Sequence, residues 1–274
     1  FIGESSEAQE NVLIGTQCAK ASTDDKFTGS KNAFLGYQCG HRNTTGNSNV
    51  FMGAVCGFGN LTGKFNVAIG TQCLYLNTNG HFNTVIGYQS IYTNTNKTGN
   101  TAIGYKCMSG EGNISDITLS NTNTYNVGIG TESLFETTTG QANVAIGTQC
   151  LASNTSGSYN TVMGYQSLYS NTTGNQNVAM GYQSLYSNTT SNNTAIGYKC
   201  SYFNSSGQYN TAIGYKCLEG ETNDYTGTNA NVAIGYQCGL YIGNNAINNV
   251  LIGYECAKAA TDGKFVGDNN TFIG

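Results

Sequence analysis

Asn66-Val67-Ala68-Ile69-Gly70-Thr71-Gln72-Cys73 decides the reading of this chain, because the same frame returns from one end to the other. The core of the motif is Asn-[Val/Thr]-x-[Ile/Leu/Met]-Gly. Its glycines are Gly3, Gly15, Gly36, Gly53, Gly70, Gly87, Gly104, Gly130, Gly147, Gly164, Gly181, Gly197, Gly214, Gly235, Gly253 and Gly274. Eight of the fifteen spacings are 17 residues and the rest run from 12 to 26. Self-similarity at such a period marks a repeat architecture, in which each unit buries its apolar face against its neighbours.

Counted from the glycine, each column has its own chemistry. Asn stands four residues before, from Asn11 and Asn32 through to Asn249 and Asn270. A large aliphatic always comes immediately before, as in Ile14, Leu35, Met52 and Ile69, and three before is usually Val or Thr. One after is most often Tyr or Thr. The third position after is always Cys or Ser until the chain ends. All ten cysteines lie there: Cys18, Cys39, Cys56, Cys73, Cys107, Cys150, Cys200, Cys217, Cys238 and Cys256. Ser6, Ser90, Ser133, Ser167 and Ser184 fill the remainder, and a polar tract such as Ser170-Asn171-Thr172-Thr173-Gly174-Asn175 closes each coil.

Gly recurs too often for helices, β-branched residues and Asn are dense, and no 3.6-residue apolar period survives. A short apolar strand bounded by turn residues, repeated every 17 residues, reads as one rung of a parallel β-solenoid. The expected fold is all-β, about fifteen coils in a single repeat domain over 1–274. With rungs about 4.8 Å apart it would form a rod of roughly 70 Å. Stacked Asn side chains can hydrogen-bond their own kind above and below. An unvarying Gly points to positive φ, or to a place where a Cβ would not fit.

Alternation puts Val67 and Ile69 on one side of the strand, Ala68 and Gly70 on the other. The aliphatic column is expected to fill the coil. The second face carries Ala, Phe, Leu or Val and never a charge, so it too needs a cover. We expect a partner chain there, approached closely over the small residues.

Composition excludes several classes. Charged residues are 9% of the 274, where about 25% is usual. No apolar run approaches the roughly 18 residues of a membrane span. With 19 Tyr, 11 Phe and a formal charge of -4, the chain is unlike a disordered one. Only 11 Lys and Arg are present, which argues against nucleic acid. The chain starts in mid-motif at Phe1-Ile2-Gly3, as a piece of a longer protein would. Residues 11–36 align without gaps to 249–274 at 17 of 26 identical positions, which suggests a longer array or coils stacking end to end.

The strand motif resembles the YadA-type head repeat of trimeric autotransporter adhesins, whose pattern reads roughly Asn-Ser-Val-Ala-Ile-Gly-x-x-Ser. Asn143-Val144-Ala145-Ile146-Gly147-Thr148-Gln149-Cys150 and Asn177-Val178-Ala179-Met180-Gly181-Tyr182-Gln183-Ser184 fall into that frame with one residue fewer before the Val. It is also similar to Ala-Ile-Gly-Tyr-Gln repeats of tail-fibre-like proteins. The chain departs from the adhesin pattern in its longer coil and in its Cys-rich column. The resemblance implies a left-handed parallel β-roll, three chains around one axis, and an adhesive shaft at a cell or virion surface, with a host glycan or protein as its contact.

Chemistry that the columns could hide is limited. The cysteines read either as a buried thiol ladder interchangeable with Ser or as disulfides between rungs or chains. Zinc-type spacings are missing, and His41 and His81 are the only histidines. A nucleophilic Cys needs a positioned base, and none repeats with it, so no enzyme and no cofactor is expected. The Tyr column and a second aromatic four residues on (Tyr88 and Tyr92, Tyr165 and Tyr169) read as packing or as a sugar-stacking strip. Sequons at Asn43, Asn60, Asn154, Asn171, Asn188 and Asn204 read either as N-glycosylation sites or as turn chemistry. Four insertions, 21–29, 110–125, 220–228 and 259–267, gather acidic residues as solvated loops or calcium sites. An extracellular structural or adhesive rod is the leading reading. An ice-binding or glycan-binding solenoid is the alternative.

Overall fold

The structure, a computed structural model, describes residues 10–20, 26–93, 95–110, 123–220, 228–243, 246–258 and 267–274. The chain divides into two compact units, Phe1–Gln141 and Ala142–Gly274. The first unit holds β1 (Val12–Ile14), β2 (Ala33–Leu35), β3 (Val50–Met52), β4 (Val67–Thr71), β5 (Thr84–Tyr88), β6 (Thr101–Tyr105) and β7 (Val127–Ile129). The second holds β8 (Val144–Thr148), β9 (Thr161–Tyr165), β10 (Val178–Tyr182), β11 (Thr194–Tyr198), β12 (Thr211–Tyr215), β13 (Val232–Tyr236), β14 (Val250–Tyr254) and β15 (Thr271–Ile273). No helix occurs among the described residues. Within each unit every strand pairs in parallel with the next in sequence, and the register holds each column on itself. Ala68 meets Val85 and Gly70 meets Gly87 in one unit; Ala195 meets Ala212 and Gly197 meets Gly214 in the other. Each unit is thus a parallel β-solenoid. Six turns in the first and seven in the second make about thirteen, fewer than the fifteen coils expected.

The two faces of the strand are assigned opposite to the expectation. Ala68, Val85, Ala102, Ala145, Val162, Ala179, Ala195 and Ala212, two positions before the glycine, are fully buried inside the coil. The aliphatic column points outward, with Ile14 at 56%, Leu35 at 42% and Ile69 at 36% exposure. The reason is volume. The narrow coil must also hold a Leu-type side chain from the opposite wall, such as Leu74, Leu134, Leu151, Leu168 or Leu185, each fully buried. A small strand residue leaves room for it. In the two rungs where the strand supplies Phe34 and Phe51, the facing residues are Gly40 and Gly57. A Cβ at either glycine would collide with the ring opposite.

Curvature comes from left-handed corners, most of them occupied by residues other than glycine. Around β4 these are Phe65 (φ 58°), Gln72 (φ 54°) and Leu74 (φ 53°), and the same three columns recur in coil after coil. Such a conformation costs an L-residue about 1–2 kcal/mol. Each corner N–H nevertheless bonds to a neighbouring coil: Phe65 to Asn47 O, Gln72 to Ala54 O and Leu74 to Ser90 O at 3.0–3.1 Å. The repeat glycine is required for a different reason. Gly70 has φ 125°, and a Cβ there would strike the carbonyl of Gly87 in the next rung.

Candidate functional site

Among the described residues, polar ladders run through the coil interior beside its apolar side chains. The Asn four before the glycine is buried in rung after rung. Asn66 shows the pattern: its Nδ2 donates to Asn49 Oδ1 at 3.1 Å and to Gly80 O at 2.9 Å. Its Oδ1 in turn accepts the backbone N–H and the Nδ2 of Asn83, both at 3.0 Å. A second ladder lies in the closing turns, where Asn60 Nδ2 donates to Asn43 Oδ1 at 2.8 Å and Asn171 Nδ2 to Asn154 Oδ1 at 2.9 Å. Asn171 Oδ1 accepts Gly174 N–H at 3.0 Å, which closes the turn.

This second ladder is made of the sequon residues. Asn43, Asn60, Asn154, Asn171 and Asn188 have no exposed surface and Asn204 only 1%. Of the two readings of these sequons, their burial favours turn chemistry. A glycan on Nδ2 would have to occupy the coil interior, so the sequons serve as turn and ladder chemistry.

All ten thiols are free and buried. Cys73 Sγ donates to Gly87 O in the next rung at 3.1 Å, and Cys150 Sγ to Gly164 O at 3.2 Å. Ser90, Ser167 and Ser184 donate to the same column of carbonyls at 2.7 Å. One donor at one place suffices, which is why the two residue types interchange. Cys39 and Cys56 turn instead to Phe51 O and Ala68 O, both at 3.1 Å. Burial pushes the Cys73 and Cys150 thiols up to about 11 and Cys107 to about 12, so they stay protonated at neutral pH. Lys97 is the one fully buried cation among the described residues. Its Nζ donates to Met108 O at 3.2 Å, and burial holds its pKa down to about 8. Described residues include no group of three or more His, Cys, Asp or Glu that could hold a metal. The acidic residues Asp24, Asp25, Glu111, Asp116, Glu221, Asp224 and Asp262 lie outside the described residues.

What the fold presents outward is the other face of the sheet. It carries the Val/Thr, the Ile/Leu/Met and the Tyr/Thr columns, half-buried or exposed, and no strand places a charged residue in any of them. Aromatic ladders border it. Tyr165, Tyr182, Tyr198, Tyr215, Tyr236 and Tyr254 stack in succession, with centroids 4.9–5.3 Å apart and planes within 5–10°. Tyr169, Tyr186 and Tyr202 form a parallel ladder beside them. His41, Phe58, Tyr75 and Tyr92 form its counterpart in the first unit. Lys199 Nζ lies 5.8 Å from the Tyr198 ring and 4.9 Å from that of Tyr202. Stacking covers the ring faces with other rings, so a sugar would meet edges and hydroxyls rather than the faces that sugar stacking uses.

One further column escaped the sequence reading. Phe65, Phe82, Tyr125, Tyr159 and Tyr209 stand five before the glycine, at left-handed corners, and are 51–68% exposed. Their common offset was the available signal. Among known proteins, no family model, no curated protein and no solved structure matches this chain.

Proposed function

We propose that this chain is a non-catalytic structural segment of an extracellular fibre, on a cell or virion surface, that assembles with copies of itself through its outer sheet face. One observation carries the reading: a face three columns wide, apolar or hydroxyl-bearing, without charge in any strand. At about 3.3 Å per residue and 4.8 Å per rung, the first unit, with three five-residue and four three-residue strands, presents on the order of 400 Å² of such face, and the second on the order of 600 Å². The larger of these lies at the top of the range for patches that monomers leave open. A second solenoid of the same rung spacing is the partner whose side chains interdigitate along its full length. The resemblance to adhesin heads supports three copies around an axis and a left-handed roll, with contact to a host glycan or protein made elsewhere on the shaft. The buried thiols, with Cys73, Cys107 and Cys150 held protonated, and the sparse charge favour a scaffold over an enzyme.

The test is native mass by light scattering, with and without reductant. A mass near three times 28.9 kDa is expected. Ile69→Glu combined with Ile213→Glu should bring it down to one chain with the circular dichroism unchanged. A wild-type monomer at all concentrations would sink the assembly.

A further inference from the structure

We propose that the tyrosine ladder of the second unit is a site of oxidative cross-linking, where a peroxidase acting with hydrogen peroxide joins stacked rings of neighbouring rungs as dityrosine. Six phenols follow one another from Tyr165 to Tyr254 at centroid separations of 4.9–5.3 Å, each 37–68% exposed. A tyrosyl radical carries its spin on the oxygen and on the ring carbons ortho and para to it, and the para carbon is blocked by Cβ. Coupling therefore joins ortho carbons. It is ordinarily limited by the chance that two short-lived radicals meet. The ladder removes the search, since every ring has a second oxidisable phenol held beside it, and the pair couples once both rings have been oxidised. Tyr169, Tyr186 and Tyr202 add a second row alongside.

The step balances as follows. Each of two phenols gives up one electron and one proton, and hydrogen peroxide takes both pairs to become two waters. The two radicals form one C–C bond between ortho carbons. The hydrogen on each of those carbons then moves to the ring oxygen and restores both phenols. Such links staple successive coils of one chain and need no second copy, but the Tyr column is part of the outer face assigned to assembly, so the rings are oxidised on chains whose face is not yet covered.

The chain carries its own control. Tyr125, Tyr159 and Tyr209 are exposed at 62–68% but belong to no ring stack among the described residues. The experiment treats the full chain with a haem peroxidase and hydrogen peroxide. Single-chain material is then recovered under denaturing conditions, digested, and its dityrosine-linked peptides mapped by mass spectrometry. Links between consecutive ladder rungs should exceed any link to Tyr125, Tyr159 or Tyr209 by at least about tenfold, the advantage of a partner already in place. Tyr198→Phe keeps the ring and removes the phenol. It should abolish the 182–198 and 198–215 links and leave 165–182 and 236–254. Links that follow exposure alone, or no dityrosine at all, would overturn the proposal.

Discussion

At the scale of single residues, the fold depends on which small group fits a place repeated rung after rung. Cys73→Ser should be near neutral, within about 0.5 kcal/mol, because a hydroxyl reaches the carbonyl that the thiol already meets. Cys73→Ala forfeits that bond and should cost about 1 kcal/mol, read as a shift in urea midpoint. Gly70→Ala combines a disfavoured φ with a collision against the Gly87 carbonyl and should cost at least about 2 kcal/mol. Lys97 gives a pH signature. Its folded pKa of about 8 lies below its ordinary 10.5, so between those values the unfolded chain holds a proton that the folded chain has released. Stability from this group therefore rises with pH across that window, and its full penalty is present below it. Cys107 acts in the opposite sense: raised from 9.0 to about 12, it contributes a fall in stability over that interval. Lys97→Met should remove the rise and stabilise the protein at neutral pH by about 1 kcal/mol, the gain being reduced by a Met108 carbonyl left without its donor. A denaturation series from pH 7 to beyond the thiol range would register both. The ladder Asn, the repeat Gly and the Cys/Ser equivalence were legible in the sequence, since identical residues at identical offsets imply identical environments. The burial of the sequons was not, because Asn-Thr-Thr-Gly describes an exposed turn and a laddered one equally well.

At the scale of the coil, pairs of residues across the interior are coupled by volume. Phe34→Ala should open a cavity, break the 4.9 Å stack with Phe51, and cost about 3–5 kcal/mol. Gly40→Leu alone should destabilise by collision with the Phe34 ring. The double variant recreates the Ala68–Leu74 arrangement on a similar left-handed backbone and should recover most of the loss. A double-mutant cycle with no coupling would refute this account of the core. The Asn ladder adds a second test at this scale. Asn66→Ala strands the Asn83 N–H inside the coil, leaves the Gly80 carbonyl with Asn77 Nδ2 as its one side-chain donor, and should cost about 2 kcal/mol or more. Asn79→Ala, on the exposed turn next to Thr62, should cost about 0.5 kcal/mol. Where a coil is one residue short, between Gly181 and Gly197, the closing-turn ladder breaks: Asn188 Nδ2 turns to Thr190 O and Asn204 Nδ2 is left buried without an acceptor.

At the scale of the whole molecule, charge does little. The ion pairs Lys31–Glu10 and Lys258–Glu255 are solvent-accessible, and Lys216–Glu219 joins a half-buried lysine to a buried carboxylate. Raising salt from low to molar concentration should therefore move stability by less than about 0.5 kcal/mol, apart from any effect of salt on apolar burial. Burial of apolar surface, ladder hydrogen bonds and ring stacking remain as the terms that hold the coils. The sequence by itself determined the solenoid, its period, its in-register columns and its lack of charge, because a motif that recurs at a fixed offset can satisfy every copy only by stacking. The tertiary structure alone decided which face turned inward. Alternation along Asn66-Val67-Ala68-Ile69 separates two faces but does not say which is interior when neither carries a charge. The choice was made by space, since the Leu-type side chain from the opposite wall leaves room for alanine and not for isoleucine. The corners were settled in the same way: Phe65, Gln72 and Leu74 carry no turn signal, and they adopt left-handed backbone because the coils on either side accept and donate the bonds that hold them there.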